Sequence, residues 1–328
     1  MSAAGDRGCP PILVEATRDG TAESIHRGHL VVVAPDGQVI AALGDVGLPV
    51  YVRSAAKPFQ AVATLELLDA ARVPLDAAGV AIACASHAGS DMHQIEAARL
   101  LALADLDESA LRCPHALPDD LATLLAQRTP TSLAHNCSGK HAAFVLAQVA
   151  AGGDPSSYLA PGSPIQQAVT RHLAAVTSSV PAGPGVDGCG APAWLVPLRG
   201  LALAFARLAG GHGLLARVRA AMTARPDLVG GAACPDTALM TADARIVAKR
   251  GAEAVFAAGY RHPRLGPLGV AVKIADGSAR AAAPATAAAL EALGAAVPAL
   301  VLRPLVLGGF HPHGALLPSP AIAAAVAP

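Results

Sequence analysis

Strand-like runs lie at both ends of the chain and helical periodicity lies between them, and this distribution limits the fold more than any other feature. From Pro11 to Val50, short β-branched runs alternate with turn signals. PILVEATR is followed by HLVVVAPDGQVIAALG, in which Pro35-Asp36-Gly37 separates two apolar strands as a hairpin turn does. Near the far end LGVAVKIADGSARAAA alternates and carries Asp276-Gly277, a second hairpin signal. Between them AKPFQAVATLELLDAARV and SDMHQIEAARLLALADL space their apolar residues as helices do, and the second opens at Ser90 or Asp91. GVAIACASHAGS reads as a buried strand ending in a polar loop, and the chain from about Ser109 to Ala221 is mostly helical, with loops at AHNCSGK and VPAGPGVDGCGAPA. With no fixed repeat and no long linker, the expectation is one α+β domain over residues 1–328, its start from Met1 to Cys9 flexible. An antiparallel sheet closed by a C-terminal hairpin is flanked by helices, and the middle forms a helical lobe.

Composition excludes several classes of function. The 328 residues are 53% hydrophobic and 15% charged with a formal net charge of +0, which suits a large buried core. Acidic and basic residues are scattered without single-sign blocks, so neither nucleic acid nor an anionic membrane surface is expected as a partner. The mean hydropathy is +0.46, yet the longest weakly charged stretch, near residue 290, is mostly alanine and is interrupted by Pro284, Glu291, Gly294 and Pro298. The start MSAAGDRGCPP has no export signal, which makes the cytoplasm the expected compartment. The six cysteines are widely spaced and form no CxxC, so most are expected to be small buried apolar residues.

Of 24 basic residues only four are lysine, namely Lys57, Lys140, Lys249 and Lys273, and Asn136 is the only asparagine. Where arginine serves as the general cation, a retained lysine is notable because an amine can give up its proton and a guanidinium cannot. In YVRSAAKPFQ, Ser54 and Lys57 stand at i and i+3, a spacing that puts both on one face of a helix start. Pro58 fits the first turn, and the positive end of the helix favours an alkoxide at Ser54. A neutral Lys57 would then act as base, given burial or a second cation nearby, from Lys273, Lys140 or Arg53. An isolated SxxK is more often an N-cap serine with a solvent-facing lysine. Further polar motifs accompany it. Ser86 in SHAGS follows an apolar run, Lys273 sits within the strand-like VAVKI, and Cys137 and Lys140 crowd the start of an apolar helix in HNCSGKHAAF. With Cys189 in DGCGAP these last two could form a three-ligand zinc site, with His135 and His141 as alternatives. Spacing alone favours two buried cysteines, since a lysine must lose its proton to ligate.

RSAAKPFQ, SHAGS, HNCSGKHAAF, DGCGAP and VAVKIADG, in this order, resemble the Rhizobium etli-type L-asparaginases over about Pro11 to Gly277. The resemblance implies a serine β-lactamase- or glutaminase-like fold and hydrolysis of L-asparagine to aspartate and ammonia. It implies two Ser-Lys pairs, Ser54 with Lys57 and Ser86 with Lys273, and a Zn²⁺ held by Cys137, Lys140 and Cys189 that assists substrate binding. Asp187 is then expected to meet the substrate ammonium and Arg53 its carboxylate. A homodimer is also expected. Glutaminase or other SxxK amide hydrolysis is the alternative activity, and an inactive metal-binding scaffold the non-enzymatic one. The tail from Arg303, with GGFHPHGALLPSP, matches no motif of this set.

Overall fold

In this computed structural model, which describes residues 8–326, the chain's two ends meet in one antiparallel sheet. Its strands are β1 (Ile12–Arg18), β2 (Thr21–Val33), β3 (Val39–Leu43), β7 (Ile246–Arg250), β8 (Val255–His262), β9 (Gly266–Ile274), β10 (Leu305–Gly308) and β11 (His311–Pro318). A second sheet of three strands is formed by β4 (Pro49–Tyr51), β5 (Ala182–Val186) and β6 (Pro192–Pro197) in the order β4-β6-β5. The main sheet runs β10-β11-β1-β2-β9-β8-β7, with β3 added on β2. The long strand β2 curls it. Its first half pairs with β1, its second half with β3, and from Gly28 onward it also pairs with β9.

The β2–β3 hairpin turns at Pro35-Asp36-Gly37, as the sequence predicts, with Gly37 at φ +96°. The second hairpin falls elsewhere than expected. β8 and β9 form it, paired from Val255↔Lys273 to His262↔Gly266, whereas Asp276-Gly277 leads from β9 into the helix Ala279–Ala292. A D-G pair ends a strand equally well before a helix, and Asp276 accepts from the Ser278 backbone N–H to make that turn. The hairpin that closes the sheet is β10–β11, beyond Arg303, and it joins β1 through Val14↔Pro318 and Ala16↔Leu316. The first seven residues of the expected flexible start, Met1 to Cys9, lie outside the described residues.

Leu268 to Val272 on β9 are buried without alternation, so both faces of the sheet are covered. The helices Leu198–Gly210 and Ala279–Ala292 pack on β8 and β9. The first lies close: a Cβ at Gly269 would fall 1.8 Å from the Ala202 carbonyl oxygen. The remaining core is the helical lobe, in which Lys57–Ala70, Asp91–Ala102, Ser138–Ala150 and Pro164–Thr177 pack on one another. Ala77–Ala83 belongs to this lobe and is a helix, not the expected strand. A short apolar run does not fix its own period. Asp76 decides it, accepting from the Gly79 backbone N–H as an N-cap, and helices on several sides bury the run. The described residues contain thirteen α-helices, and no single helix is long and apolar enough to cross a membrane.

Candidate active site

Five segments converge where the helical lobe meets the two sheets. The first is a 3-10 turn, Arg53–Ala56, continuing into the helix that Lys57 begins. Arg53 holds a left-handed backbone, φ +47°, which a side chain adopts only under compensation. Its guanidinium supplies that by donating through Nε (3.2 Å) and Nη2 (2.9 Å) to Asp187 Oδ1. Burial would raise the Asp187 carboxyl, but the bond from Arg53 and the charges of Lys140 and Arg53 hold it below the usual carboxylate range. Ser54, Arg53, Lys57, Gln60, Lys140, Asp187 and Trp194 line one cleft. Gln60 Oε1 and Trp194 Nε1 on that cleft are buried and have no hydrogen-bond partner among the described residues, so the wall carries an acceptor and a donor suited to a polar guest.

Lys57 is 1% exposed. Its amine donates to the Ala85 carbonyl, to Ser86 Oγ at 3.0 Å and to Cys137 Sγ at 3.2 Å. Burial, aided by the positive charge of Lys140, pulls this amine below the ordinary lysine range against the opposing pull of Cys137. Ser86 lies just past the Ala77–Ala83 helix. Its backbone is held on both sides, the N–H donating to Val229 O at 2.9 Å and the carbonyl accepting from Arg250 Nη2 at 2.6 Å. Next to it, His87 Nε2 is 3.0 Å from Ser138 Oγ and its ring stacks on that of His93. This ties the Ser86 segment to the start of the Ser138–Ala150 helix.

Cys137, Lys140 and Cys189 come together from that helix start and from the turn between β5 and β6. Lys140 Nζ is 3.0 Å from Cys189 Sγ. A hydrogen bond from Cys189, with the charges of Lys57 and Lys140, holds the Cys137 thiol well below its ordinary range although burial opposes it. Burial lowers the Lys140 amine less than the two sulfurs raise it, so it is held up. His141, one residue on, bonds Tyr158 Oη through Nδ1 at 2.6 Å, while its Nε2 is buried without a partner among the described residues. Two sulfurs and an amine meet here, donor types that Zn²⁺ takes once the amine has lost its proton, but no group of three His, Cys, Asp or Glu side chains among the described residues is placed to hold a metal ion.

Lys273 does not join the other lysines. From β9 its Nζ donates to the carbonyls of Glu253 and Ile274, both at 2.6 Å, and its side chain is partly exposed. The lysine that the fold brings to the rear of the site is Lys249 on β7, fully buried, 3.5 Å from Asp236 Oδ2 and 3.1 Å from the Arg250 carbonyl. Burial, with the charges of Arg250 and Lys57, brings it down to about 7 against the pull of Asp236. Sequence reasoning counted Lys249 among the scarce lysines but gave it no role, because RIVAKR contains none of the serine or glycine that marked the other motifs. Both Lys249 and Lys273 lie in apolar strand runs, and the sequence does not tell which of the two strands passes behind Ser86. Arg250 and Asp236, which brace Ser86 from behind, had no signal of their own.

A family model for L-asparaginase II matches residues 14–306. The chain belongs to the L-asparaginase II family. No curated protein matches the chain. Among solved structures, Mglu in its native form is similar at 16% identity over 78% of this chain and 62% of that one, with a TM-score of 0.41. Mglu in its L-glutamate binding form is similar at 16% identity over 83% and 60%, with a TM-score of 0.44. The chain thus spans about three-fifths of the length of the solved structures it matches.

Proposed function

We propose that the chain hydrolyses the side-chain amide of L-asparagine, releasing L-aspartate and ammonia through a serine-bound acyl intermediate. The observation that carries this reading is Lys57, a wholly buried amine held in low pKa, hydrogen-bonded to one serine and lining the same cleft as another. Family membership supports the amide substrate. The Arg53 and Asp187 pair at the cleft supports an amino acid zwitterion, since a guanidinium and a carboxylate that already face each other can exchange partners for an α-carboxylate and an α-ammonium.

In the mechanism Ser54 Oγ attacks the amide carbon while neutral Lys57 takes its proton. The C–O bond forms, the carbonyl π pair moves to oxygen, and collapse expels nitrogen as the Lys57 proton transfers to it, leaving ammonia and an ester. Water, deprotonated by the same amine, cleaves the ester and restores the serine. Ser86, held against Lys57, relays or orients that proton. Lys249, held by Asp236 and the Arg250 carbonyl, stands behind the base and fills the place expected of Lys273. Cys137, Lys140 and Cys189, with His141 adjacent, would hold a Zn²⁺, which would supply a fixed positive charge beside the substrate site. A homodimer in the cytoplasm belongs to the same reading, and sedimentation velocity measures its first half.

The 3.0 Å contact of Lys57 with Ser86 favours a second reading, in which Ser86 is the nucleophile and Ser54 the relay. Steady-state ammonia release and mass spectrometry of acyl-enzyme in Ser54→Ala and Ser86→Ala separate them. Ser54→Ala is expected to lose the adduct and at least about a thousandfold in kcat, with Ser86→Ala retaining a slow adduct. The reverse pattern assigns the nucleophile to Ser86, and full activity in both variants rejects the mechanism.

A further inference from the structure

Arg250, whose guanidinium holds the Ser86 carbonyl, also lines a cavity of about 590 Å³ that shares no lining residue with the cleft. Its wall is mostly apolar, formed by Ala283, Pro284, Val301 and Leu316 among others, and its charged lining residues are Arg250 and Arg280. Leu300 stands on the rim, 72% exposed. The size is that of a small-molecule pocket, and an apolar wall with few convergent polar groups is how such pockets are built.

The cavity's two charged lining groups are both cationic and favour an anion. Arg250 divides its guanidinium between Asp236 Oδ1 (2.5 Å) and the Ser86 carbonyl oxygen (2.6 Å) and still reaches the cavity. Arg280 is exposed, donating to His26 Nε2 (3.1 Å) and Ser24 Oγ (2.7 Å). The fourteen-residue helix Ala279–Ala292 points its N-terminal end here, and Ser278 before it makes no side-chain cap, so the first-turn N–H groups add partial positive charge. Two carboxylates stand near: Asp276, whose Oδ2 is 2.7 Å from Nδ1 of His26, the ring that Arg280 also meets, and Asp236, fully buried behind the wall and shared by Lys249 and Arg250. Neither lines the cavity.

We propose that this cavity binds a small carboxylic acid with an unbranched aliphatic body, its carboxylate at Arg250 and Arg280 and its chain along Ala283, Pro284 and Leu316. The proposal does not rest on the amidohydrolase reading. Because one guanidinium touches both the cavity and the Ser86 backbone, the occupant sits one residue away from the proposed chemistry.

Calorimetric titration of the full-length protein with sodium octanoate, and in parallel with the neutral octanamide, tests it without any activity readout. Octanoate is expected to bind saturably at one site per chain, with octanamide about tenfold or more weaker. Arg280→Glu, at an exposed side chain, is expected to weaken octanoate roughly 10- to 100-fold, the loss of a charge-assisted contact. Ala279→Trp, an exposed position over the cavity, is expected to abolish binding by filling it. Should that variant fail to fold, Arg280→Glu and the octanamide comparison decide alone. No saturable octanoate binding, or equal binding of octanoate by the wild type and Arg280→Glu, overturns the proposal.

Discussion

Burial of one amine, Lys57, sets the chemistry open to this chain. An arginine in its place would keep charge and bulk but could not accept a proton at working pH. Lys57→Arg is therefore expected to lose about 10²- to 10⁴-fold in kcat, the usual share of general base catalysis, with far-ultraviolet circular dichroism unchanged. Near-normal turnover in that variant would falsify the assignment of the base. The pH dependence has a definite sign. Burial and Lys140 lower the Lys57 amine from its ordinary value, so the proton-accepting form grows as pH rises through that lowered value. In the wild type, kcat/KM is expected to climb on the acidic side and level off below the ordinary lysine range. A paired comparison tests the other two lysines. Lys249→Met is expected to cut kcat/KM at least about a hundredfold, because it leaves Asp236 short of a partner behind Ser86. Lys273→Met, whose amine only caps two carbonyls, should stay within about threefold. Equal losses in both would restore Lys273 to the site.

Close helix contacts hold the site in register at the level of the elements. Cys137 and Lys140 face Lys57 because the Ser138–Ala150 helix starts hard against Ala77–Ala83, where a Cβ on Gly139 would lie 2.5 Å from the Ile82 carbonyl oxygen. That oxygen belongs to backbone and cannot swing aside. Gly139→Ala should therefore push the two helix ends apart, costing about 1–3 kcal/mol in urea unfolding and lowering kcat/KM by more than the stability change alone explains. A stable variant with unchanged kinetics would mean that the separation of Ser86 from Cys137 does not matter. The elements also show what the sequence can convey. The helices Asp91–Ala102 and Lys57–Ala70 were legible from the spacing of their apolar residues, and so was the Pro-Asp-Gly hairpin. The run at Ala77–Ala83 was not, because seven apolar residues suit a buried strand and a buried helix equally, and the surrounding helices decide. Ser54 and Lys57 stood out as a local motif and the resemblance pointed to Arg53 and Asp187, and all four line one cleft. Lys249 was not, since its role depends on β7 passing behind Ser86, a contact between residues more than 160 positions apart.

On the scale of the whole molecule, the site is a seam. Cys137 and Lys140 belong to the helical lobe, whereas Cys189 hangs from the turn joining β5 and β6 in the small sheet. An ion held by all three would clamp those two parts, whereas two buried thiols without it would only pack. The difference is measurable as stability linked to metal concentration, because a ligand that binds only the folded state adds about 2.7 kcal/mol at a hundredfold excess over its Kd. For a chain of this size that corresponds to a rise in Tm of roughly 5 °C. Chelation of the purified protein at pH 8 is expected to lower Tm by about that amount, zinc to restore it, and Cys189→Ser to remove both responses. In asparagine kinetics the same chelation should raise KM more than it lowers kcat, the pattern of lost uniform binding. A Tm indifferent to chelator and zinc in protein that contains no bound metal would instead make Cys137 and Cys189 an apolar seam. The low pKa of Lys57 would then rest on burial and Lys140 alone.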